Sequence, residues 1–404
     1  MNQLRTAQAT ANRVLIAGGG IGGLACALAC ARAGSEVAVF ERSAYPSELG
    51  AGIQLGPNVM RVLQAWGLED ALRETVVFPE RLQIRDAATG AALGVLRLGS
   101  HMLTRYGAPY GLVHRADLHQ LLQRALAQEH GTDVRFSHQV SDFTCTSQGV
   151  SVGFEDGARV VGDVLVGADG GWSTVRQHLL ADSQPLPTGQ LAYRALVRQS
   201  QLPAAMRTQQ VTVWLGAGLH VVHYPVRCGE WLNVVAIVEG VPVADLSAWD
   251  HGANASDLHW RLHGQCVALR DLIAAIADWR LWCLSVRAPM RGAHEQARGR
   301  VALLGDAAHP MLPYLAQGAA MAIEDAQVLA EAISMGPSGA LIEQRLLSYA
   351  AKRWHRNARV QRRALRNAQI FHASGALAWG RDLAMRVAGE RLLDMPWLYG
   401  HRAQ

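Results

Sequence analysis

Three glycines follow the first apolar segment of the chain at a G-x-G-x-x-G spacing. Gly18, Gly20 and Gly23 come directly after the strand-like run 14–17, and a helix-length segment of small residues leads on to a second strand pattern that ends at Glu41. The first glycine permits a tight turn, the second lets a pyrophosphate approach the backbone, and the third lets the helix pack closely on the strand. Free N–H groups at the helix start attract phosphates, and an acid about 20 residues further on can accept hydrogen bonds from a ribose. A glycine-rich turn of any α/β domain is the alternative, but the agreement of all the parts predicts dinucleotide binding.

Three acids share one setting along the chain. Glu41, Asp169 and Asp306 each lie at the C-terminal end of an apolar strand pattern. Ligands of open α/β sheets bind beyond those strand ends, so the three carboxylates could line one cofactor groove. Any one of them could instead cap a helix. Their shared position favours the groove.

The rest of the chain supplies the elements that must hold these residues. Segment 191–239 consists of consecutive β patterns with little helix between them, and a Rossmann-like strand returns at 301–304. This order predicts an α/β fold in which a second, sheet-based domain is inserted into the first. From Gln317 onward the pattern is helical.

Composition excludes several classes of protein. Half of the 404 residues are apolar, which allows a large core, yet no apolar run approaches the roughly 18 residues of a membrane span. Residues 1–12 lack the hydrophobic block of a signal peptide, so a cytoplasmic location is expected. Six cysteines form no C-x-x-C pair, and the 16 histidines form no H-E-x-x-H motif. We therefore predict reduced thiols and no metal site.

The excess of positive charge is concentrated in one segment. Seven basic residues lie between Lys352 and Arg366 on a predicted helix, in a chain whose formal net charge is +5. A nucleic-acid or membrane patch is one interpretation, and a solvated helix face is the other. The second is favoured because no recognition motif accompanies the charges. We predict no nucleic-acid partner and no stable membrane association.

Five stretches of the sequence resemble the single-component (group A) FAD-dependent aromatic hydroxylases. They are GGGIGG with Glu41-Arg42, HRADLH at 114–119, LVGADGGWSTVR at 165–176, LLGDAAHPMLPYLAQGAAMAIEDA at 303–326 and WLYGH at 397–401. The match runs over nearly the whole chain and looks closest to the branch of salicylate, 3-hydroxybenzoate 6- and 6-hydroxynicotinate 3-monooxygenases.

This resemblance implies a particular fold. We expect a Rossmann-like FAD-binding domain of the glutathione-reductase type, as in p-hydroxybenzoate hydroxylase, with an inserted β-sheet substrate domain and C-terminal helices. The expected bounds are 1–185 and 290–340 for the discontinuous FAD-binding domain, 186–289 for the substrate domain and 341–404 for the helical segment.

Cofactor contacts carry over to matching positions. The resemblance implies that Glu41 holds the adenosine ribose, that Asp306 binds the ribityl chain, and that Gln54 touches the ribityl or ring region. It also implies that further residues serve the FAD or the passing nicotinamide, namely Arg42, Arg115, Asp169 and Gly170. If a helix starts at Gln317, the amides near Gly318 and Ala319 would face the flavin and stabilise negative charge on its reduced ring.

A strand of the second domain offers candidate catalytic groups. His220 and Tyr224 are four residues apart, so they share one face of a strand, whereas His223 faces the other way. A base with a pKa near neutrality would activate a phenolic ring. The resemblance implies that His220 is this base and that Tyr224 contacts the substrate, although a lone strand histidine is more often structural.

Substrate contacts are less well defined by the sequence. A pocket arginine would bind a carboxylate through two hydrogen bonds, and Arg194 is the candidate, with an exposed strand residue as the alternative. The adjacent Tyr193 and the loop residues Pro313 and Tyr314 are further candidate substrate contacts. Pro313 and Tyr314 mark a departure from the relatives. The 3-hydroxybenzoate enzymes place Gln in this loop, and the hydroxynicotinate enzymes place His after the proline.

The resemblance implies an activity. We expect an FAD-dependent monooxygenase that uses NADH or NADPH and O2 to hydroxylate a small phenolic or N-heteroaromatic acid through a C4a-hydroperoxyflavin. A second G-x-G-x-x-G is absent from the sequence, so the nicotinamide cofactor is expected to bind transiently in a shared groove. The alternatives are a flavoprotein of the same fold with other chemistry, such as a dehydrogenase or halogenase, and a non-catalytic FAD-binding protein. A homodimer is common among the relatives.

Overall fold

A computed structural model of the chain describes residues 12–45, 51–241, 251–252, 255–334 and 341–403. Within these ranges the strands, in chain order, are β1 (Arg13–Ala17), β2 (Glu36–Phe40), β3 (Gly52–Leu55), β4 (Arg81–Asp86), β5 (Ala92–Arg97), β6 (Gly111–His114), β7 (Thr132–Arg135), β8 (Val140–Cys145), β9 (Val150–Phe154), β10 (Arg159–Gly162), β11 (Val164–Gly167), β12 (Leu186–Arg198), β13 (Val211–Gly216), β14 (Leu219–Val226), β15 (Trp231–Glu239), β16 (His251–Gly252), β17 (Arg280–Val286), β18 (Ala297–Arg298) and β19 (Val301–Leu303).

The α-helices of the described residues lie between and after these strands. They are α1 (Ile21–Arg32), α2 (Pro57–Ala65), α3 (Glu69–Arg73), α4 (Gly99–Tyr106), α5 (Arg115–Leu126), α6 (Thr174–Leu180), α7 (Ala255–Leu262), α8 (Val267–Ala274), α9 (Ala293–Gln296), α10 (Gly318–Ser334), α11 (Ile342–Phe371), α12 (Gly375–Leu393) and α13 (Pro396–Tyr399).

The first layer is a six-stranded sheet in the order β18-β19-β11-β1-β2-β7. All neighbouring strands are parallel except β18, which pairs antiparallel with β19. The central strand β1 is buried at every position after Arg13, as expected for a parallel strand with both faces covered. Helices α1 and α10 pack against each other, and their apolar residues join one large core with those of β1 and β2.

A three-stranded antiparallel sheet, β10-β9-β8, lies beside the first layer. Gly157, in the turn between β9 and β10, has a positive φ of +82°, as hairpin turns commonly require. The short strands β3 and β6 form a separate antiparallel pair.

The second layer is an eight-stranded sheet in the order β16-β17-β12-β15-β14-β13-β4-β5. Side chains on one of its faces join a core with helices α7 and α8. Side chains on its other face, such as Tyr224 and Val226, join the core of the first layer. The predicted α/β fold with a second sheet and C-terminal helices is therefore present.

The predicted limits of the second layer were too narrow. Strand β4 pairs in parallel with β13, and β5 pairs with β4, so residues 81–97 extend the eight-stranded sheet. The prediction had placed these residues in the FAD-binding domain, within 1–185. Pairing across a separation of 129 residues leaves no local sequence signal. A division at 186 and 289 thus cuts through one continuous sheet.

The basic segment of α11 is only partly solvated, which corrects the prediction of a solvated face. Arg353 and Arg356 are buried, whereas Lys352, Arg359 and Arg362 are exposed. The two buried arginines pair with Glu324 and Asp325 of α10, and burial requires such partners.

In the described part of the chain, the cysteines form no disulfide bonds and the helices include no membrane span. All six cysteines lie in the described residues and are free thiols, as predicted. Among the described residues, we found no helix with enough length and apolar character to cross a lipid bilayer.

Candidate functional site

The three strand-end acids lie on one edge of the six-stranded sheet. Strands β19, β11, β1 and β2 are adjacent and parallel, so their carboxyl ends share that edge. Asp306, Asp169, the glycine loop and Glu41 therefore follow one another across it, as the sequence predicted. An extended ligand can cross all four strand ends in this arrangement.

The glycine loop has the local geometry that the motif requires. Gly18 has φ of +101°, and an added Cβ there would lie 2.4 Å from the carbonyl oxygen of Ala168. A Cβ at Gly23 would lie 1.9 Å from the Gly18 oxygen, whereas one at Gly20 would meet no protein atom within 4 Å. The first and third glycines are thus needed by the protein itself. The second leaves room for a ligand.

Helix α1 presents unoccupied amides at this loop. Its N-cap is Gly20, no side chain caps it, and its first turn holds no acid. The N–H groups of a 12-residue helix and its dipole are therefore available to an anion. These features fit the pyrophosphate of a dinucleotide.

Glu41 supports the glycine loop directly. Its carboxylate accepts hydrogen bonds from the Gly19 amide at 2.7 Å and from the Ser43 amide at 2.9 Å. Each carboxylate oxygen retains a lone pair for a ribose hydroxyl. The exposed Arg42 lies next to Glu41 and lines a cavity of about 280 Å³ with residues 137–139 and 154–156.

Asp169 performs the capping role that had been weighed as an alternative. It accepts hydrogen bonds from the Ser173 hydroxyl at 2.5 Å and from the Val175 amide at 3.0 Å, and so holds the start of α6. Burial raises its pKa, and the hydrogen bond from Ser173 opposes the shift. The next residue, Gly170, has φ of +82°. Its backbone, rather than the Asp169 carboxylate, is open to a passing ligand.

Asp306 and Arg115 converge on the same edge from different elements. Asp306 is an exposed residue at this edge. Protein atoms packed around its carboxyl group desolvate that group and raise its pKa, while His309 and Arg115 oppose the shift. Burial lowers the pKa of Arg115, and Asp306 opposes that shift. A Cβ at Gly318 would lie 3.8 Å from Oδ1 of Asp306. The acid therefore lies beside the first turn of α10.

Helix α10 starts at Gly318, directly after Gln317 as predicted. The Gln317 carbonyl accepts the first helical hydrogen bond, from the Met321 amide at 2.8 Å, and its side chain accepts one from Asn58 at 3.1 Å. Ala316 has φ of +52°, which costs a non-glycine residue strain. The strained turn and the buried Gln317 fix the direction in which the amides of Gly318 and Ala319 point.

The eight-stranded sheet brings the candidate substrate residues together on one face. The pairing registers align His220 with Ala192, Val222 with Arg194, and Tyr224 with Leu196, each across β15. Arg194 thus lies in the row between His220 and Tyr224, two strands away, which is roughly 10 Å at ordinary strand spacing.

His220 belongs to a buried cluster of rings. Its Nδ1 lies 2.9 Å from Nε2 of His372, and its ring centroid lies 4.7 Å from that of Tyr314 and 5.5 Å from that of Phe371. Burial lowers the pKa of His220 well below its usual range, and His372 lowers it further. The prediction of a base with a pKa near neutrality is therefore not supported. The ring is neutral at pH 7 and can accept a proton.

Tyr224 lies at the other end of this face. Its ring packs against Gly52, where an added Cβ would lie 2.4 Å from the ring. Burial raises its pKa, and a hydrogen bond with Gln54 opposes the shift. Gln54 is buried and also accepts a hydrogen bond from the Tyr110 hydroxyl at 2.6 Å. Gln54 and Tyr224 are therefore hydrogen-bonded to each other between the two layers.

Arg194 stacks on a neighbouring aromatic ring. Its guanidinium carbon lies 3.3 Å from the centroid of Trp282, which occupies the His220 row. Stacking on the ring fixes the orientation of the guanidinium plane.

One predicted substrate contact is corrected by the structure. Tyr193 points to the opposite face of the sheet, where it is buried in the core with α7 and α8, because successive strand residues alternate. Pro313 is exposed on the surface. Tyr314, in contrast, is buried and donates a hydrogen bond to Gln190 at 2.9 Å. His223 faces away from His220, as predicted, and stacks on Trp214.

Sequence reasoning missed three residues of the His220 cluster: Gln190, Phe371 and His372. Phe371 is the last residue of the 30-residue helix α11, and His372 follows it directly. This helix begins far from the site. An Ala-Ser-Gly sequence after His372 marks a helix end, but it does not show which strand that end contacts. Among the described residues, no group of three or more His, Cys, Asp or Glu side chains could hold a metal ion.

Comparisons with known proteins agree with this geometry. A family model described as "FAD binding domain" matches residues 11–364. The chain is 36% identical to 3-hydroxybenzoate 6-hydroxylase 1 of Aquipseudomonas alcaligenes, covering 96% of this chain and 98% of that protein. It is also 36% identical to 6-hydroxynicotinate 3-monooxygenase of Pseudomonas fluorescens, covering 87% of this chain and 89% of that one.

A solved structure agrees over a similar length. HpxO of Klebsiella pneumoniae, complexed with FAD and uric acid, superposes with a TM-score of 0.82 at 26% identity, and the match covers 95% of this chain and 94% of that one. FAD is therefore the cofactor of this chain, with NADH or NADPH as the reductant. The chain belongs to the family of single-component FAD-dependent aromatic monooxygenases.

Proposed function

We propose that this enzyme hydroxylates a small hydroxylated aromatic acid held against the face of the eight-stranded sheet that carries His220, Arg194 and Tyr224. His220 removes the proton of the ring hydroxyl, Arg194 binds the carboxylate, and Tyr224 contacts the ring. The observation that carries the proposal is the register that places Arg194 in the row between His220 and Tyr224. These residues face the layer that holds the cofactor edge.

The cofactor contacts are part of the same proposal. Glu41 would bind the adenosine ribose and Asp306 the ribityl chain, with Arg42 and Arg115 along the cofactor. The open side of Gly20 fits the pyrophosphate, since a Cβ there meets no protein atom. Bound FAD, once reduced by NADH or NADPH, activates O2 for transfer of one oxygen atom to the ring.

The protein's own part is to prepare the substrate. A phenolate is a stronger carbon nucleophile than a phenol, so removal of the hydroxyl proton speeds attack by the ring. His220 is neutral at pH 7 because burial lowers its pKa. The amides of Gly318 and Ala319 would stabilise negative charge at the flavin edge.

Tyr314 is proposed to shape the substrate range. Its ring lies against His220, and its hydroxyl is held by Gln190. Tyr314 lies in the loop in which the 3-hydroxybenzoate enzymes place Gln and the hydroxynicotinate enzymes place His after the proline. We therefore propose a hydroxybenzoate- or hydroxynicotinate-like substrate without assigning it to either compound.

A substrate panel tests the activity. Purified holoenzyme is assayed for NADH or NADPH oxidation, O2 uptake and product with salicylate, 3- and 4-hydroxybenzoate, 6-hydroxynicotinate and 4-nitrophenol. One compound should stimulate oxidation and be recovered hydroxylated. Stimulation that yields only hydrogen peroxide with every compound would contradict the proposal.

The sedimentation coefficient of the same sample tests whether the protein is a homodimer.

His220→Asn tests the assignment of the base. The variant should retain FAD while hydroxylation of the panel's substrate falls by about 100-fold or more, as expected for loss of a general base. His223→Asn, on the opposite face of the same strand, is the matched control and should hydroxylate normally. Full activity of His220→Asn would remove His220 from the mechanism.

A further inference from the structure

The position of His372, which contacts His220, is fixed by hydrogen bonds to the backbone at the end of α11. His372 follows the last residue of α11, and its carbonyl accepts a hydrogen bond from the Gly218 amide at 3.1 Å, two residues before His220. Arg381 of α12 donates to the carbonyls of Ile370 and Phe371 at 3.1 and 3.0 Å. The end of α11 is thus fixed on the turn that leads into β14.

The hydrogen bond between the two rings has a definite direction if His220 is to act as a base. A neutral imidazole has one N–H and one acceptor nitrogen. If Nδ1 of His220 donates to Nε2 of His372, then Nε2 of His220 is the acceptor and can take a proton from a substrate. In the reverse direction, Nε2 of His220 would carry the hydrogen and could not.

The neighbouring tyrosine is compatible with the first direction, which the role of His220 as a base requires. The Tyr314 hydroxyl lies 3.3 Å from Nε2 of His372 but 2.9 Å from the side-chain oxygen of Gln190, to which it donates its only hydrogen. The Nε2 lone pair of His372 is therefore left for the Nδ1–H of His220 at 2.9 Å. Apart from the Tyr314 contact at 3.3 Å, neither of these two nitrogens has another hydrogen-bond partner among the described residues.

We propose that His372 is a positioning residue that accepts the hydrogen bond from Nδ1–H of His220 and so fixes the tautomer in which Nε2 receives the substrate proton. This inference rests on the proposed role of His220 as the base.

The proton transfer is balanced within the substrate and the two rings. The phenolic O–H bond breaks and an N–H bond forms at Nε2 of His220, which gives a phenolate and an imidazolium. The imidazolium donates through Nδ1 to the neutral His372, and a hydrogen bond to a charged partner is stronger than one to a neutral partner. The other groups that act on the pair are Arg381 from α12, which lowers the pKa of His372, and Tyr314 from the loop before α10.

Titration of a bound phenol tests the inference without turnover. Holoenzyme with oxidised FAD and no NADH or NADPH is mixed with 3-hydroxy-4-nitrobenzoate, whose phenolate is coloured, and difference spectra are recorded against pH. His372→Phe keeps a ring but removes the acceptor. His372→Gln keeps an acceptor oxygen near the Nε2 position. Phe371→Leu alters the other ring of α11 that contacts His220 and serves as the matched control.

Each variant has an expected result. His372→Phe should raise the pH at which the bound phenol ionises by about one unit or more, since a hydrogen bond to a charged group is lost. His372→Gln should recover most of that shift, and Phe371→Leu should show none. The pH profile of kcat/KM for the panel's substrate should move in the same order. FAD content checks that each variant is folded.

Two results would overturn the inference. One is an unchanged titration in His372→Phe, and the other is an equal shift in the Gln and Phe variants, which would indicate packing rather than a hydrogen bond. The His220→Asn variant distinguishes an error in the role of His220 from an error in the role of His372. If the probe ionises on this variant as on the wild type, the proposed base is wrong. If this variant shifts the titration but His372→Phe does not, only the role of His372 is wrong.

Discussion

Arg353 donates to Asp325 at 2.7 Å in a part of the interior where neither side chain exposes more than 1% of its surface. The same guanidinium lies 2.9 Å from Glu324, and Asn357 donates to Asp325 at 3.0 Å. The nearby charges lower the pKa of Glu324 to about 2 and hold that of Asp325 well below its usual range, against the effect of burial, so both acids are ionised. This cluster joins α11 to α10, whose first turn lies beside Asp306.

Arg353→Met should be strongly destabilising. Removing one member of a buried ion pair leaves an uncompensated charge, which typically costs about 3 to 5 kcal/mol. We expect the free energy of unfolding of the apoprotein to fall by that amount in a denaturant titration, and FAD retention to fall with it because α10 is displaced. Arg362→Met, on the exposed side of α11, should change stability by about 0.5 kcal/mol or less. Equal stability of the two variants would show that the cluster is not a structural requirement.

Gly20→Ala and Gly23→Ala should separate cofactor binding from folding. Gly20 has φ of −73° and free space around an added Cβ, so the alanine variant should fold as stably as the wild type. Its methyl group would occupy the ligand side of the loop, and FAD affinity should fall by about tenfold or more. Gly23→Ala would place the methyl group 1.9 Å from a backbone oxygen and should lose stability as well.

The measurements for the glycine pair are FAD titration by flavin fluorescence and thermal unfolding of the apoprotein. If Gly20→Ala binds FAD as tightly as the wild type, the pyrophosphate does not lie against this loop.

Arg194→Gln should affect substrates according to whether they carry a carboxylate. Loss of a charge-assisted hydrogen bond of about 1.5 to 3 kcal/mol should raise KM about 10- to 100-fold for the carboxylated substrate of the panel. The Kd of 4-nitrophenol, which carries no carboxylate, should be unchanged. Tyr193→Phe, one residue away but on the opposite face, is the control and should leave both values unaltered. A uniform loss with every compound would indicate that Arg194 supports the fold through Trp282 instead.

His223→Phe should reduce the sensitivity of the fold to acid. Burial and the nearby Arg85 lower the pKa of His223 to about 4, and neither ring nitrogen has a hydrogen-bond partner among the described residues. The folded-state pKa is thus below the usual 6.5. The unfolded chain therefore takes up a proton first as the pH falls, and the stabilising contribution, full above pH 6.5, is lost down to about pH 4.

Denaturant titrations at several pH values measure this effect. The decrease in unfolding free energy between pH 6.5 and 4 should be smaller by about 3 kcal/mol in His223→Phe. At pH 7.5 the variant should be at least as stable as the wild type, because the phenyl ring removes two unpaired nitrogens. An identical pH dependence in the two proteins would mean that His223 is protonated equally in both states.

Local patterns in the sequence were sufficient to predict much of the site. The glycine loop and the acid at Glu41 depend on a strand, a turn and a helix that are contiguous in the chain. The shared face of His220 and Tyr224 follows from the two-residue period of a strand. In each case the physical cause lies within a few residues of its consequence.

Contacts between distant segments could not be predicted in this way. His372 meets His220 only because a helix of 30 residues, about 45 Å long, ends at that turn. The burial of Arg353 depends on acids of another helix, so the charge count alone suggested a solvated face. Tyr193 was chosen for its position beside Arg194, whereas the strand directs the two side chains to opposite faces.

The parallel pairing of β4 with β13 has a consequence for exchanging parts between relatives. Replacing 186–289 alone would remove β13 from a sheet whose outer two strands are encoded about a hundred residues earlier. In the chimera, a β13 strand from the relative would have to pair with the native β4. A poor fit between these two strands would leave an unpaired sheet edge, which favours aggregation. A hybrid enzyme with altered substrate range therefore requires the transfer of 81–97 together with the later segment.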